Sequence, residues 1–347
     1  MAIQNYDTAA ARIGALAGEI IGHAIPTEVL GNALSQKDMP KNKSETIKFR
    51  SWVPYGGTVA APNTWSVSAA AHITQEGVTP TADTITPRDV TATLSQYACL
   101  YALTDKDYDL YEDDIADAMK VQTGERMGLI REMAIYGVLK AGTNKFYSGG
   151  TSRATVDGKI TEMFMQRMIR SLNANHGGKI TKVLSSSGDF GTKAVEAAYI
   201  AYCHTDCEQD IRALPGFRPT VDYGQRQVIS EYELGTWGPV RFIVSADLSS
   251  IPSAATSVGA AALGLYTSGS DYPDVYPVIL VAKDCAAQVK LRGVNAIEPT
   301  LLLPNKIDKN DPLGQRGYIG AKFWHTSVIL NNGWMAVGEV AISALTE

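Results

Sequence analysis

Between Arg88 and Gly142 the chain passes from a long alternating segment directly into an unbroken amphipathic one, an order that few compact folds accommodate. Val90, Ala92, Leu94, Ala98, Leu100 and Ala102 fall on one side of an extended chain. Thr91, Thr93, Ser95, Tyr97, Cys99 and Tyr101 fall on the other, so the spacing predicts a half-buried strand of unusual length. Thr104-Asp105-Lys106-Asp107 then has the Ser/Thr-x-x-acid form of a helix start. Asp105, Asp107, Asp109, Glu112, Asp113 and Asp114 crowd the first turns, where negative charge suits the positive end of the helix dipole.

A helical wheel places Tyr111, Ile115, Ala118, Met119, Leu129, Ile130, Met133, Tyr136 and Gly137 on one face, with Asp113, Asp117, Lys120, Glu125, Arg131 and Glu132 away from it. No proline interrupts the pattern before Gly142, so a helix over Tyr108–Ala141 would be a rod of roughly 50 Å at 1.5 Å per residue. Gln122 and Arg126 interrupt the apolar face. They fit either contact with another subunit or an arginine that lays its stem along the core.

On either side of this feature the chain is globular. With 347 residues, 45% of them apolar, it can bury two or three lobes. A net charge of −5 without basic clusters argues against a dedicated nucleic-acid binder, though not against a surface that tolerates nearby DNA. Cys99, Cys203, Cys207 and Cys285 are scattered in a chain too large to need disulfide staples, which suits a reducing compartment. Ala9–Ile25 has the length of a leader, but Asp7, Arg12, Glu19 and His23 break it. No stretch of about 18 apolar residues exists, so no membrane span is expected.

The first 45 residues read as an arm, an Ala-rich helical stretch followed by loop around Pro26, Gly31 and Pro40, with little core of its own. Thr46–Val53 alternates as a strand. Residues 53–87, rich in Gly, Ala, Thr, Ser and Pro, form a loop of uncommon length. If the flanking strands pair, Thr46–Leu103 becomes a hairpin projecting from the body, to be covered by a neighbour. Beyond Gly142 a helix is predicted over Thr161–Asn173, with Met163, Phe164, Met168, Ile169 and Leu172 apolar. Helical spacing recurs over Ser187–Ile211. Strands are predicted at Gln227–Glu233, Val240–Ser245 and Val275–Ala282, and again at Leu301–Leu303, Tyr318–Leu330 and Trp334–Ile342, giving an α+β chain.

Candidate chemistry is sparse. Cys203-His204-x-x-Cys207 would share a helix face but supplies too few ligands for zinc. Asp308-Lys309-Asn310-Asp311 opens like a calcium loop, but Pro312, Leu313 and Ile319 stand where ligands and the turn glycine belong. The acids of Asp107-Tyr108-Asp109 and Glu112-Asp113-Asp114 fit dipole complementation better than paired catalysis. His23, His72, His176 and His325 are isolated, and no phosphate loop, nucleophile elbow, zincin or dinucleotide fingerprint occurs. Hence no catalytic, cofactor-binding or metal residue is nominated.

Six stretches carry a resemblance. They are Thr46-Ile47-Lys48-Phe49-Arg50; Gln75-Glu76-Gly77-Val78-Thr79-Pro80; Leu94-Ser95-Gln96-Tyr97 with Thr104-Asp105; Glu231-Tyr232-Glu233-Leu234-Gly235 with Val240-Arg241-Phe242; Tyr276-Pro277-Val278-Ile279-Leu280-Val281; and Asp311-Pro312-Leu313-Gly314-Gln315-Arg316-Gly317 leading to Gly320-Ala321-Lys322. In this order and spacing the chain resembles the major capsid proteins of tailed double-stranded-DNA bacteriophages, and within them the branch typified by the short-tailed coliphage that carries a virion RNA polymerase. The resemblance implies the Hong Kong 97-like fold, with an N-terminal arm (1–45), an extended loop (46–88), a peripheral domain with a spine helix (89–179), an axial domain (180–291) and a return to the peripheral domain (292–347).

It further implies a non-enzymatic protein of the virion that assembles in the host cytoplasm, as hexamers and pentamers of itself, around DNA it does not recognise by sequence. Portal, scaffolding or decoration proteins would be partners, with no membrane and no cofactor. No long N-terminal scaffolding region is evident, so a separate scaffold or none is implied. An encapsulin-like compartment and a soluble hydrolase with an unrecognised site are the competing expectations. The isopeptide fastening used by some shells of this fold needs a loop lysine, and none occurs between Lys48 and Lys106. Arg50 and Arg88 stay protonated and are poor nucleophiles, so noncovalent assembly is expected.

Overall fold

The computed structural model describes residues 28–345 except 41, 75, 78, 80–81, 111–113, 185–191, 225–226, 270, 292–297 and 308–310. The Ala-rich stretch at the N-terminus and His23 lie outside the described residues. In chain order the elements are β1 (Ser35–Met39), β2 (Thr46–Trp52), β3 (Pro87–Thr93), β4 (Ser95–Thr104), α1 (Asp105–Leu110), α2 (Ile115–Lys140) and β5 (Lys145–Tyr147). Then come α3 (Glu162–Ala174), β6 (Ile180–Leu184), β7 (Thr192–His204), α4 (Glu208–Arg212), β8 (Arg218–Pro219), β9 (Glu233–Trp237) and β10 (Val240–Ser245). The chain closes with α5 (Ala260–Leu263), β11 (Tyr276–Val281), β12 (Ala286–Leu291), β13 (Glu298–Leu302), β14 (Arg316–Ile329) and β15 (Met335–Val340).

Among the described residues these strands form three sheets. The largest runs β5-β15-β11-β7-β10-β9-β8, with β6 also on β7. Both of its faces are covered. Tyr199, Ala201, Cys203, Val278 and Leu280 meet Phe164, Met165, Met168 and Leu172 of α3. Ile200, Tyr202, Ile279 and Val281 meet Ile135, Tyr136 and Leu139 of α2 together with Val29, Leu30 and Leu34 of the arm. The expected helical spacing over Ser187–Ile211 is therefore wrong. Residues 187–191 lie outside the described residues; from Thr192 the stretch is β7, a central strand buried at every position from Ala198 to Cys203 and so without polar alternation there, and among the described residues only Glu208–Arg212 at its end is α-helical. The strand expected at Gln227–Glu233 also lies further on, as β9. β9 turns at Gly238 (φ +53) into β10, whose first pair is Val240↔Trp237.

The second sheet is β1-β12-β14-β13, with β4 along β14 from Arg316↔Thr104 to His325↔Ser95. The N-terminal half of α2 lies on it, with Met127 among Cys99, Ala321 and Phe323, and Ala116 and Met119 among Leu103 and Ile319. One helix of 26 residues, about 39 Å long, thus ties both large sheets together.

That rod is shorter than expected. α1 and α2 are separate helices, each with its own side-chain cap: Thr104 Oγ1 accepts the Asp107 amide (3.2 Å), and Asp114 accepts the Asp117 amide (3.1 Å). The expected strand is divided too. Ala92 and Leu94 point inward, but from Tyr97 onward Cys99 and Leu103 do so, while Leu100 is exposed. Inward parity changes between β3, which pairs with β2, and β4, which pairs with β14.

The buried stripe of α2 is Ala116, Met119, Thr123, Met127, Gly128, Glu132, Ile135, Tyr136 and Leu139, and Ala118 and Gly137 are exposed. The face inferred from apolarity is rotated from the real one, because two polar residues sit inside the stripe with their groups satisfied. Thr123 Oγ1 donates to the Met119 carbonyl at 2.7 Å, and Glu132 Oε1 accepts the amides of Val29 and Leu30 at 2.9 and 2.8 Å. Gln122 and Arg126 are exposed, and the Arg126 guanidinium lies over the Tyr101 ring at 5.8 Å. The arm likewise contributes more core than its composition suggests, with Val29, Leu30, Leu34 and Met39 all buried. α3 forms as expected behind its Thr161 cap, except that Met163 is exposed.

Candidate assembly surfaces

The third sheet is the hairpin alone, β2 on β3 in unbroken register from Thr46↔Thr93 to Trp52↔Pro87, with Arg50 clamping Asp89 across the strands at 2.8 and 2.9 Å. Its base is part of the body. Ile47 and Phe49 pack on Met39, Leu94 and Val289, and the Leu94 amide donates to the Glu45 carbonyl. No described residue between Val53 and Ala92 is buried, and Trp52 beside Val53 and Val67, Ile73 and Ile85 beyond it stand 58, 63, 76 and 74% exposed. Among the described residues, neither outer edge of this hairpin is paired.

The loop does not project freely along its whole length. Asn63 Nδ2 reaches Asn331 Oδ1 (3.0 Å) and Asn175 Oδ1 (3.2 Å), Trp65 lies against His176 with ring centres 4.6 Å apart, and Arg88 donates to the Leu330 carbonyl (3.0 Å). A polar cavity of about 380 Å³ lies between the loop and the body there.

A second apolar surface is the outer face of the β4–β14–β13 sheet. The register places Leu100 opposite Gly320 and Leu302 opposite Tyr318, with Trp324 nearby on β14. Leu100, Leu302 and Trp324 are all exposed. Sequence reasoning missed this face, because it assigned the apolar residues of β4 to the core.

The residues weighed and set aside as candidate chemistry take structural posts. Cys203 lies on β7 rather than a helix. Burial pushes its thiol up to about 12 and that of Cys207 well above the usual range, so neither is a ready thiolate. His204 Nδ1 accepts the Asp206 amide, and His72 meets Tyr55 edge-on. Asp107 is buried in its cap, and Asp109 is approached by Asn305 Nδ2 at 3.4 Å. Of the calcium-like run, 308–310 lie outside the described residues; Asp311 accepts the Arg316 amide in a turn closed by Gly314 (φ +64). Among the described residues no group of His, Cys, Asp and Glu is placed to hold a metal, and no helix is long and apolar enough to cross a membrane.

Two buried groups are unusual. Glu339 on β15 is fully buried and clamped by Arg153 at 2.7 and 2.6 Å, with Lys145 at 3.6 Å, which locks β15 to the Arg153 turn. His325 is 3% exposed beside a cavity of about 320 Å³ between α2, β12 and β14, with neither ring nitrogen bonded, and burial holds its imidazole down at about 4.

No known sequence family and no curated protein matches the chain. Solved structures do. The chain is similar to the capsid of cyanophage P-SCSP1u (13% identity, 98% of this chain and 97% of that chain, TM-score 0.59) and to that of cyanophage Pam1 (12%, 98% and 99%, 0.60). It is similar also to the head structure of Helicobacter pylori bacteriophage KHP40 (10%, 99% and 98%, 0.60) and, with a TM-score of 0.52 at 9% identity over 94% of both chains, to an encapsulin complex from Synechococcus elongatus. The fold is the Hong Kong 97-like α+β fold of phage capsid subunits, carried over nearly the whole chain.

Proposed function

We propose that this chain is a major capsid protein, a structural and non-enzymatic subunit that assembles with copies of itself, as hexamers and pentamers, into an icosahedral phage head around double-stranded DNA. The observation that carries the reading is the union of the capsid fold with a hairpin whose large apolar side chains, Trp52, Val67, Ile73 and Ile85, are left mostly exposed by the described residues. In a repeated ring each copy would supply cover to the next.

Under this reading residues 1–45 are the arm, 46–88 the extended loop, 89–179 with 292–347 the peripheral domain and 180–291 the axial domain. β12, in the sheet of β14, and β15, in the sheet of β11, would cross between the last two. The branch typified by the short-tailed coliphage with a virion RNA polymerase is the reading that the motif order favours. A portal is an expected partner, scaffolding and decoration proteins are optional ones, and contact with packaged DNA is without sequence recognition. The virion is its place, and the host cytoplasm its place of assembly.

Purified protein viewed by negative-stain electron microscopy should show closed shells. A uniform monomer at assembly concentrations, with or without co-expressed scaffold, would sink the proposal, and shells filled with a protein cargo in place of DNA would favour the encapsulin alternative. The four cysteines are free and buried, and no lysine lies between Lys48 at the base of the loop and Lys106, so particles boiled in detergent should run as one band near 37.2 kDa. A ladder of dimers to hexamers would overturn noncovalent fastening.

A further inference from the structure

We propose that Asn63, Asn175 and Asn331, with Trp65 against His176, form a latch within the subunit that fixes the extended loop in one orientation before subunits meet. Its existence stands on geometry alone; its consequence for assembly rests on the function proposed above.

The latch joins segments far apart in sequence. Asn63 Nδ2 donates to Asn175 Oδ1 and Asn331 Oδ1, and Asn63 Oδ1 accepts from Asn331 Nδ2 at 2.5 Å, so both ends of the Asn63 amide are engaged. The receiving side is rigid. Asn175, at the end of α3, donates to the Ser171 carbonyl (2.8 Å), and its own carbonyl accepts Trp334 Nε1 (2.9 Å). Asn331 is buried and accepts the Gly333 amide (3.0 Å). Gly333 is needed for the approach, because a Cβ there would collide with Asn63 Nδ2 and the Asn175 amide. At the far end of the loop, Arg88 on the Leu330 carbonyl holds β3 to the same segment of the body.

These contacts do not bury the loop's apolar residues. Trp52, Val67, Ile73 and Ile85 stay exposed, and Trp65 itself is still 59% exposed with its ring tilted against His176. A polar fastening that leaves the apolar side chains outward orders the loop for presentation rather than for stability of the core. A disordered loop would lose its freedom on docking and weaken association, whereas a latched loop has already lost it. Loosening the latch therefore raises the protein concentration that assembly requires.

The test uses two substitutions on opposite sides of the latch, Asn63→Ala and Gly333→Ala, in the full chain. Hydrogen exchange of unassembled subunits should show amides hydrogen-bonded in the loop, such as those of Gly57 and Ser66, exchanging about tenfold faster in both variants, with β11 unchanged. The concentration threshold for shell formation by light scattering should rise several-fold. Loop exchange that is equally fast in wild type and variants would overturn the latch. Faster exchange with an unmoved threshold would overturn its role in presentation. If the wild-type chain forms no shells, the assembly function falls while the exchange comparison still decides whether the latch exists.

Discussion

The lobe around β7 and β11 and the hairpin of β2 and β3 solve opposite problems. In the lobe a sheet is covered by α3 on one face and by α2 and the arm on the other, and Val278, Ile279, Leu280 and Val281 in succession are fully buried. In the hairpin the apolar side chains beyond Val53 face outward, and the fastenings that bring the loop back to the body are polar. The lobe is complete in one chain. The hairpin is shaped by its own chain, but the described residues leave its apolar side chains exposed. The sharpest break of the comparison is therefore in the lobe: Phe242→Ala, which removes a fully buried ring packed near Phe217, should cost about 3–5 kcal/mol in denaturant unfolding. A loss below about 1 kcal/mol would mean that this core is not what holds the subunit.

A second test exploits charge in place of volume. His325 sits beneath α2 with its ordinary value of 6.5 lowered to about 4, first by burial and then by the Arg131 charge. Below pH 6.5 the unfolded chain takes up a proton that the folded chain refuses until about pH 4. Stability that is fully present above 6.5 is thus lost as pH falls through that window, by about 3 kcal/mol. His325→Phe should flatten this part of the stability–pH curve, and parallel curves for the two proteins would show that His325 is not held neutral.

Much of this architecture is legible in the residues, and the misses have physical causes. Thr104 and Thr161 announce helix starts that form as caps, and the alternation of Thr46–Trp52 and the apolar run at Tyr276–Val281 give strands. β7 misleads because a strand buried on both faces loses its period of two. The candidate surfaces were only partly readable. The length and composition of residues 53–87 pointed to the loop, but the latch depends on Asn63, Asn175 and Asn331, whose separation in sequence gives no local signal.

The spine helix misleads for a different reason: its buried stripe contains Glu132, which apolarity assigns to solvent. Glu132→Ala would leave the Val29 and Leu30 amides without their acceptor and should cost about 2 kcal/mol. Glu132→Gln keeps an oxygen for both. Burial raises the Glu132 carboxyl against the opposing pull of those amides, so the folded state holds its proton to higher pH than the unfolded chain does. Stability from this group falls as pH rises from the ordinary carboxylate value through the raised one. Wild type should therefore gain on Glu132→Gln as the solution is acidified, the opposite sign to His325. A gap that is constant with pH would show that the carboxylate is not strained by burial.

The smallest stability effect is expected where the assembly effect is largest. Replacing residues 58–84 by a short Gly-Ser linker removes Asn63, Trp65 and the exposed Val59, Val67 and Ile73, and leaves Trp52 and Ile85 at the base. It leaves β2, β3, the Arg50–Asp89 clamp and every buried cluster around the sheets in place. The entropy of closing a loop changes slowly with its length, so the shorter connection costs the unfolded-to-folded step almost nothing. The side chains of Asn175 and Asn331 lose a partner at a surface that water can then reach. Unfolding free energy should shift by less than about 1 kcal/mol, while shells disappear from electron micrographs. A subunit that unfolds on this deletion would place the loop inside the core that the comparison excludes it from, and full-sized particles from the shortened chain would mean that the outward apolar residues are not the ones neighbours cover.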